Sequence, residues 1–400
     1  MRTYARNIII LADGVKAIAE GGRLMEEQNG APMPPWNRTR LADRLGIEYP
    51  IIQGPLGGMA SQKLAADVSN FGGLGSFGAH SLAPGAIRDV IAEIRALTSK
   101  PFAMNLWVSM EDEGAFASDE AAFARSLAPL APHIEAVGGT LPAYKPYVPT
   151  RFEDQARVLL EAKVPVFSFI YGIPPREILE ECRLQGIMII GTATTPEEAK
   201  ALEDAGVDVV VASGFEAGGH RGSFLRPAEE SLTGTFSLVP QVVDAVELPV
   251  AVAGGIADAR GIVAALALGA EGVQMGTAFL TCAGSGASRP HQEKLLSGQA
   301  GRTALTRGFT GRLARGIDNP LIEELNRPEV EILPYPLQRA LVRNLSLPAE
   351  AAGRSDLLPL WAGQSASLSH CTDAATLLQE LVLEVSSIAG AVRRWSTQRR

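Results

Sequence analysis

Short apolar runs alternate with amphipathic stretches along the middle of the chain. Residues 207–212 form a largely β-branched apolar run, which is typical of a strand buried on both faces of a parallel sheet. Residues 83–97 place Ile87, Ile91, Ile94 and Leu97 on one helical face, as in an amphipathic helix. Because the connections between such segments are short, the pattern predicts parallel strands with right-handed crossovers.

Eight strands can be counted in this pattern. We expect them to begin near residues 50, 73, 102, 164, 187, 207, 249 and 270. Helices are predicted between several of them, at 175–185, 196–205 and 259–268 among others. Eight parallel strands close a (β/α)8 TIM barrel, so the predicted fold class is α/β.

The alternation stops after Leu280, which predicts a second structural unit. Residues 284–345 carry Arg, Gly and Pro with helical patches, and helical spacing of apolar residues resumes between Leu377 and Ile388. We therefore expect a small lid subdomain at 284–345, inserted after strand eight of a barrel formed by 40–283 and 346–400. A proline-rich hinge at 33–36 separates residues 1–39, which are predicted to be an N-terminal extension.

Composition and charge exclude several classes of partner. The chain has 400 residues, of which 46% are hydrophobic and 20% charged, as in globular α/β proteins. Its net charge of −8 argues against nucleic acid or an anionic membrane as the main partner, because both favour a basic surface. The sequence lacks a long uninterrupted apolar stretch and a signal-peptide pattern, so a cytoplasmic protein is expected.

The three cysteines indicate neither a disulfide framework nor a metal site. Cys182, Cys282 and Cys371 are widely spaced and form no C-x-x-C pair. The sequence also contains no H-x-x-x-H pair and no G-x-S-x-G elbow. We expect buried, unreactive thiols and no bound metal.

One glycine-rich loop carries the most distinctive chemistry. Residues 214–222 follow the apolar run at 207–212 and contain four glycines and His220. In a TIM barrel this loop lies at the carboxyl end of a strand, where active sites are found. A histidine with an ordinary pKa of ~6.5 could remove an acidic C–H proton there. His220 is therefore the candidate catalytic base.

The neighbours of His220 allow other interpretations. The glycines could serve only to make a turn, with His220 on the surface. Arg221 could attract an anionic substrate, and Glu216 is a second candidate base, although a solvated loop carboxylate is the simpler interpretation of Glu216. The remaining histidines have no comparable context and are predicted to be structural or surface residues: His80, His133, His291 and His370.

Two further glycine-containing loops lie where TIM barrels usually bind phosphate. Gly254 and Gly255 follow predicted strand seven. Predicted strand eight closes with four candidate residues: Gln274, Met275, Gly276 and Thr277. Their backbone N–H groups can point at a phosphate, helped by the N-terminus of the helix that begins near Ala259. A phosphate-bearing cofactor is therefore expected at this end of the barrel.

Polar residues at other strand ends are candidates for hydrogen bonds to a planar heterocycle. They are Gln53, Gly54 and Pro55 after strand one, Asn105 within strand three, and Ser213 after strand six. Asn105 is the best of these candidates because it interrupts an apolar strand, where an amide without a partner costs free energy.

Together these segments resemble the nitronate monooxygenase family, formerly called 2-nitropropane dioxygenases. The resemblance spans about residues 40–395, and the motifs occur in the family's order and spacing. The segments that carry it are 53–58, 105–107, 212–222, 253–258, 272–280, 310–315 and 361–364.

The resemblance implies an FMN-containing barrel that oxidises alkyl nitronates with O2 to a carbonyl compound and nitrite. It implies that His220 is the catalytic base for neutral nitroalkanes and that Gly218 joins the FMN-binding residues. Two features depart from the family pattern. Many members carry glutamine where this chain has Ser213, and the family normally starts near Arg40, which leaves the first 39 residues without a counterpart.

Three other functions stay open at the level of sequence. FMN-dependent enoyl-acyl-carrier-protein reductases share the barrel and a similar Glu-Ala-Gly-Gly-His loop but use NAD(P)H, and a quinone reductase would use the same reductant. A flavin-binding or storage protein without turnover would make His220 incidental. A phosphate-binding barrel isomerase would carry no flavin. The sequence also leaves open which nitronate fits and whether the chain forms a homodimer.

Overall fold

The fold was analysed in a computed structural model, which describes the backbone of residues 35–397 and the side chains of residues 35–391. The predicted N-terminal extension therefore lies almost entirely outside the described residues. Eleven strands are present in the described part of the chain: β1 Ile51–Gln53, β2 Gly75–Gly78, β3 Phe102–Trp107, β4 Val166–Ile170, β5 Met188–Ala193, β6 Val209–Ser213, β7 Gly219–His220, β8 Val250–Ala253, β9 Gly272–Met275, β10 Thr303–Thr306 and β11 Ala314–Ile317.

Helices fill most of the connections between these strands. In chain order they are α1 Arg40–Leu45, α2 Gln62–Phe71, α3 Pro84–Leu97, α4 Glu120–Leu127, α5 Ala131–Ala136, α6 Phe152–Glu161, α7 Arg176–Gln185, α8 Pro196–Ala205, α9 Thr235–Ala245, α10 Ala259–Ala267, α11 Thr277–Leu280, α12 Arg289–Leu296, α13 Pro320–Leu325, α14 Leu337–Ala351 and α15 Ala374–Thr397. Short 3₁₀ helices occur at Ala228–Ser231, Ser355–Leu357 and Ala366–Leu368.

The main sheet is a parallel barrel. Its eight strands follow the order β1-β9-β8-β6-β5-β4-β3-β2, and every pair is parallel. A short parallel bridge between Ile52 and Leu74 joins β1 to β2, with the Gln53 N–H donating to the Leu74 carbonyl at 2.9 Å. The ring is thereby completed, and the predicted (β/α)8 TIM barrel is confirmed.

Local chemistry explains the predicted elements well. β6 is buried along its apolar residues, as expected for a strand covered on both faces. Thr195 caps α8 by accepting from the Glu198 N–H, and Gly206 ends the helix with φ +82°, where a residue other than glycine would be strained. The prediction of a helix at 196–205 matches α8 at both ends.

Some elements were not predicted from the sequence. The helices α6 and α9 were missed, and the polar region at 109–151 contains only the two short helices α4 and α5. A second, antiparallel sheet in the order β10-β11-β7 was also missed. In this sheet His220 pairs with Ala314, and Gly219 pairs with Arg315. The loop that carries His220 is therefore attached to a hairpin that lies about a hundred residues later in the chain.

A second apolar cluster packs outside the barrel. It contains Phe309, Leu321, Leu341 and Leu345, and it extends beyond residue 345 to Ala366. Residues of α14 and of the segment after it also line the cavity described below. The lid boundaries at 284 and 345 stay a prediction.

The last helix closes the barrel's outer layer. It contains one 18-residue window, Ala374–Ala391, with a mean hydropathy of 1.2, which is long and apolar enough to cross a membrane by length and composition. Its apolar residues Leu378, Leu381 and Val385 are buried, and the helix packs against α10 and α2. This packing is typical of an outer helix of a TIM barrel.

Candidate active site

A cavity of about 400 Å³ lies at the carboxyl ends of the barrel strands. This volume falls within the range of small-molecule and cofactor sites. His220 and ten of the twelve predicted cofactor-binding residues line the cavity: Gly54, Pro55, Asn105, Ser213, Gly218, Gly254, Gly255, Gln274, Gly276 and Thr277. The fold therefore brings together residues that are more than 220 positions apart in the chain.

Two predicted residues do not line the cavity. The Gln53 amide nitrogen donates to the carbonyls of Gly54 and Ser76 at 2.7 and 2.9 Å, and its amide oxygen accepts from the Ser76 N–H at 3.2 Å. Gln53 therefore ties the end of β1 to β2 inside the core. Met275 is fully buried in the barrel.

The glycines after β8 and β9 form a backbone cradle. Gly254 and Gly255 have φ of +105° and +74°, a region that favours glycine. A Cβ on Gly254 would lie 3.0 Å from the Ala217 nitrogen and the Gly214 carbonyl oxygen. The conformation of the cradle therefore requires glycine at position 254, because a Cβ would crowd the backbone of the neighbouring loop.

The helix beyond this cradle is already capped. Asp258 accepts hydrogen bonds from the N–H groups of Arg260 and Gly261 at 2.9 and 3.2 Å. The Asp258 carboxylate therefore already occupies these two N–H groups, and help from the N-terminus of α10 in binding a phosphate stays a prediction. The loop backbone around Gly254, Gly255 and Gly276 is the other place where a phosphate could bind.

Amide side chains lie on the cavity wall. The Asn105 amide nitrogen donates to the Ser168 hydroxyl at 3.0 Å, while its carbonyl oxygen has no hydrogen-bond partner among the described residues. Asn105 is buried and lines the cavity. An acceptor without a partner on a cavity wall favours a ligand that offers an N–H group.

His220 is fixed by its backbone and by one ring nitrogen. Strand β7 pairs with β11, and Nε2 lies 2.9 Å from the Thr310 hydroxyl oxygen. The Thr310 hydroxyl also lies 3.2 Å from the Arg312 carbonyl, to which it can donate its proton. In that arrangement His220 donates from Nε2, and the lone pair on Nδ1 is left for a substrate.

The surroundings keep the His220 imidazole neutral. Burial, together with the positive charges of Arg339 and Arg312, lowers the pKa of His220 to about 3. The ring packs edge-on against Trp107 at 4.9 Å and lies 5.3 Å from the ring of Trp361. The pKa of His220 therefore lies below the ordinary histidine value of ~6.5, which favours the neutral form that a base needs.

Comparison with known proteins places this geometry in one family. The family model described as nitronate monooxygenase matches residues 38–384. The chain belongs to the nitronate monooxygenase family. This family acts on small-molecule nitronates, so the chain is an oxidoreductase, and the resemblance inferred from the motifs is confirmed.

Relatives support the assignment over most of the chain. A probable nitronate monooxygenase from Staphylococcus aureus strain Newman is 40% identical over 354 residues, which cover 88% of this chain and 99% of that protein. The solved structure of a nitroalkane oxidase from Streptomyces ansochromogenes has a TM-score of 0.78 and 35% identity, covering 88% of this chain and 99% of that one. The solved structure of FabK from Thermotoga maritima has a TM-score of 0.70 and 30% identity, and the match covers 90% of this chain and 99% of that one.

Arg221 and Glu216, two neighbours of His220, stabilise the fold of this nitronate monooxygenase family member through hydrogen bonds. Arg221 is buried and donates to the carbonyls of Ser213 and Ser231, so it is not placed to attract a substrate. The Glu216 carboxylate accepts from the N–H and the hydroxyl of Thr235 at 2.8 and 2.7 Å. Glu216 therefore stabilises the start of α9. This role differs from both roles considered from the sequence, a second base and a solvated loop carboxylate.

Two histidines of the cavity were missed by the sequence analysis. His80 stacks on Trp107 with ring centroids 3.9 Å apart and planes 7° apart. His291 is buried and donates from Nε2 to the Trp361 carbonyl at 3.1 Å. Both line the cavity. His80 could have been recognised, because it follows β2 by two residues and therefore lies at a carboxyl strand end.

An aromatic cluster holds Arg312 next to the cavity. Its guanidinium carbon lies 4.2 Å from the ring centroid of Tyr171 and 4.4 Å from that of Tyr335. The same group forms an ion pair with Asp112 at 2.7 Å. Because this positive charge is paired and stacked, it is better placed to fix the wall than to bind a substrate.

The cysteines are buried, as expected, and none is disulfide-bonded. Burial raises the pKa of Cys182 and of Cys282 to about 12. In the described part of the chain, His370, Cys371 and Glu380 bring potential metal ligands within 4.8 Å of one another. The Cys371 thiol donates to the Glu380 carboxylate at 2.9 Å, so these groups already bond to each other.

Proposed function

We propose that this protein uses FMN to oxidise alkyl nitronates with O2, giving a carbonyl compound and nitrite. The observation that carries the proposal is the position of His220. Its neutral ring lines a cavity at the carboxyl ends of the barrel strands and is held through Nε2 by Thr310. Membership of the nitronate monooxygenase family supports the same chemistry.

The residues around the cavity fit FMN. The cradle at Gly254, Gly255 and Gly276 offers backbone N–H groups for a phosphate, and Asn105 offers an acceptor for a heterocyclic N–H. Ser213, Gly218, Gln274 and Thr277 complete the proposed binding residues together with Gly54 and Pro55. When bound, FMN would supply the electron transfer between the nitronate and O2.

His220 would play two roles that depend on the substrate. With a neutral nitroalkane, Nδ1 would accept the proton from the carbon next to the nitro group. With a nitronate, which is already an anion, the ring would orient the substrate. Because burial and the charges of Arg339 and Arg312 lower the pKa of His220 to about 3, the ring is a weak base before a ligand binds. We therefore expect nitronates to be better substrates than the corresponding nitroalkanes.

The second candidate is an NAD(P)H-dependent reductase of enoyl-acyl-carrier-protein or quinone. The likeness to FabK at 30% identity is the observation that favours it. Such an enzyme would share the barrel, the cofactor cradle and the histidine. The two candidates differ in the reductant that they accept, so one experiment separates them.

The test mixes the FMN-loaded protein with propyl nitronate without oxygen and records the flavin absorbance, with NADH in a parallel trial. Reduction by the nitronate and not by NADH would support the proposal, and admission of O2 should then yield nitrite. Reduction by NADH alone would favour the reductase. A protein that cannot bind FMN would contradict both.

His220→Asn is the matched variant for this test. We expect it to retain FMN while turnover of a neutral nitroalkane falls by about 10²- to 10⁴-fold, the usual contribution of a general base. Turnover of the nitronate should fall less, because no proton has to be removed. Unchanged turnover of both substrates would favour a flavin-binding protein in which His220 is incidental.

We infer the remaining properties from the family and the composition. The partners are a small nitronate and O2, and the net charge of −8 argues against nucleic acid and an anionic membrane. A cytoplasmic location is proposed on the same grounds. A homodimer stays a prediction, which gel filtration with light scattering would test.

A further inference from the structure

The wall of the cavity that faces Trp107 carries polar groups of which the proposed chemistry uses only His220. His80 stacks on Trp107, and His220 packs against the same indole ring. Arg339, near the start of α14, lines the same cavity. These three side chains come from the loop after β2, from β7 and from α14, so the fold brings them together from distant parts of the chain.

His80 is buried, and its side chain has no hydrogen-bond partner in the described part of the protein. Nδ1 is buried without a partner, and the ring packs so closely on Gly57 that a Cβ there would lie 2.4 Å from Cε1. Nε2 is therefore the ring nitrogen left for a ligand. A proton on Nδ1 would have no acceptor, so the neutral ring is best satisfied with its proton on Nε2.

Arg339 differs from the other arginine near the cavity. Arg312 is paired with Asp112 and donates to the Ser109 carbonyl at 3.0 Å. Arg339 interacts with the Tyr335 hydroxyl and forms no ion pair within the described part of the chain. The carboxylate of Glu350, which also lines the cavity, lies about three turns further along α14. A positive charge that lines a cavity without a carboxylate partner attracts anions.

The electrostatic field of Arg339 reaches both histidines. After burial, its charge is the largest cause that lowers the pKa of His80 and the pKa of His220. Both rings therefore stay neutral, and the potential around them is positive. An anion placed between these groups would compensate that potential and would accept the unused N–H of His80.

We propose that Arg339 and His80 form an anion-binding pocket beside His220, which receives the paired oxygens of a nitronate or of a carboxylate. In this arrangement the guanidinium offers two parallel N–H groups to the oxygens, and Nε2 of His80 donates to one of them. The carbon next to the anionic group would then lie against His220. This inference deepens the proposed function, since it assigns the residues that select a negatively charged substrate.

Equilibrium binding to the FMN-loaded protein tests the pocket without turnover. Nitrate, a planar oxyanion with the shape of a nitro group, and propionate are titrated by calorimetry into the wild type and Arg339→Gln. We expect the variant to weaken nitrate binding by about tenfold or more, as for the loss of a charge-assisted hydrogen bond. Arg339→Lys should fall between the two, because it keeps the charge and loses the fork of donors.

His80→Phe tests the second donor, because it keeps a stacking ring and removes the N–H group. We expect a weakening of nitrate binding by about threefold to tenfold. Arg343→Gln is the matched control, since Arg343 is exposed one turn further along α14. It should bind both anions like the wild type. Thermal melting shows whether each variant is folded.

The outcomes separate this inference from the proposed function. Weaker binding of nitrate alone would assign the pocket to the nitronate group, and weaker binding of both probes would also admit a carboxylate. Unchanged affinities in folded Arg339→Gln and His80→Phe would overturn the pocket, as would loss of FMN from Arg339→Gln, which would assign Arg339 to the cofactor. If the pocket binds anions but a nitronate fails to reduce the flavin, the result would contradict the proposed oxidation and leave the anion-binding pocket supported.

Discussion

The two walls of the cavity are built in different ways. The barrel wall, represented by Gly54, Asn105, Gly254 and Gly276, consists of backbone and amide groups at strand ends. The outer wall comprises Thr310, Arg339, Trp361 and His291, which come from segments after β9. It places a hydroxyl and an indole ring beside His220, and the positive charge of Arg339 lowers the pKa of His220. From this comparison we expect the barrel wall to bind a cofactor and the outer wall to orient His220 and to keep its ring neutral.

The largest effect is expected from a change in the barrel wall. Gly254→Ala places a Cβ 3.0 Å from backbone atoms at a φ of +105°. We expect the FMN affinity to fall by about tenfold or more, because a strained residue costs ~1–3 kcal/mol and the cradle must shift. Activity should fall with occupancy and recover when FMN is added in excess.

Gly85→Ala is the control for this prediction. A Cβ on Gly85 meets no atom within 4 Å, and the residue lies in the first turn of α3. The FMN affinity should stay at the wild-type value and the melting temperature should not fall, since alanine favours a helix. If Gly254→Ala and Gly85→Ala bound FMN equally well, Gly254 would have no special role in binding the cofactor.

The two walls also differ in how far the sequence predicts them. The barrel wall could be predicted because its strands are short apolar runs and its loops begin where those runs end. The outer wall could not, because β10 and β11 are four residues each and the buried face of β11 includes Arg315. Charged residues usually indicate exposure, yet Arg315 donates to the Phe215 carbonyl at 3.1 Å.

His80 and Arg221 were misjudged for different reasons. Strand two was predicted to begin near residue 73, and an accurate end for β2 at Gly78 would have placed His80 at a carboxyl strand end. Arg221 was expected to attract a substrate, but backbone carbonyls provide acceptors for its guanidinium in the interior. Contacts between separate segments decide the position of Arg221, and no local pattern records them.

A smaller effect is expected from the outer wall. Thr310→Val keeps the shape of the side chain and removes the oxygen that lies 2.9 Å from Nε2 of His220. We expect kcat/KM for a neutral nitroalkane to fall by about tenfold, because one hydrogen bond that orients the base is lost. The FMN affinity should not change, since Thr310 belongs to the outer wall.

Rescue distinguishes positioning from a general structural role for Thr310. Thr310→Ser retains the hydroxyl and should restore most of the activity. The loss in Thr310→Val should also be smaller for a nitronate, which requires no proton removal. If Thr310→Val lost FMN, or if it affected both substrates equally, the outer wall would not act through the orientation of His220.

The smallest effect concerns the pH dependence of stability. His291 is buried beside Trp361, and burial lowers its pKa to about 4. The unfolded chain, with a histidine pKa of ~6.5, therefore takes up a proton first as the pH falls. The contribution of neutral His291 to the free energy of unfolding is therefore fully present above pH ~6.5 and is lost as the pH falls toward 4. Between pH 7 and 5 the free energy of unfolding should fall by at most about 2 kcal/mol from this cause.

His291→Gln removes this titration and can still donate to the Trp361 carbonyl, so the free energy of unfolding should depend less on pH. Urea unfolding at saturating FMN, at pH 7 and 5, measures the difference. His370→Gln is the control with the opposite sign, because a backbone hydrogen bond raises the pKa of His370 and the exposed ring contributes little. A pH dependence in His291→Gln as steep as in the wild type would mean that the buried imidazole is not what makes the outer wall sensitive to acid.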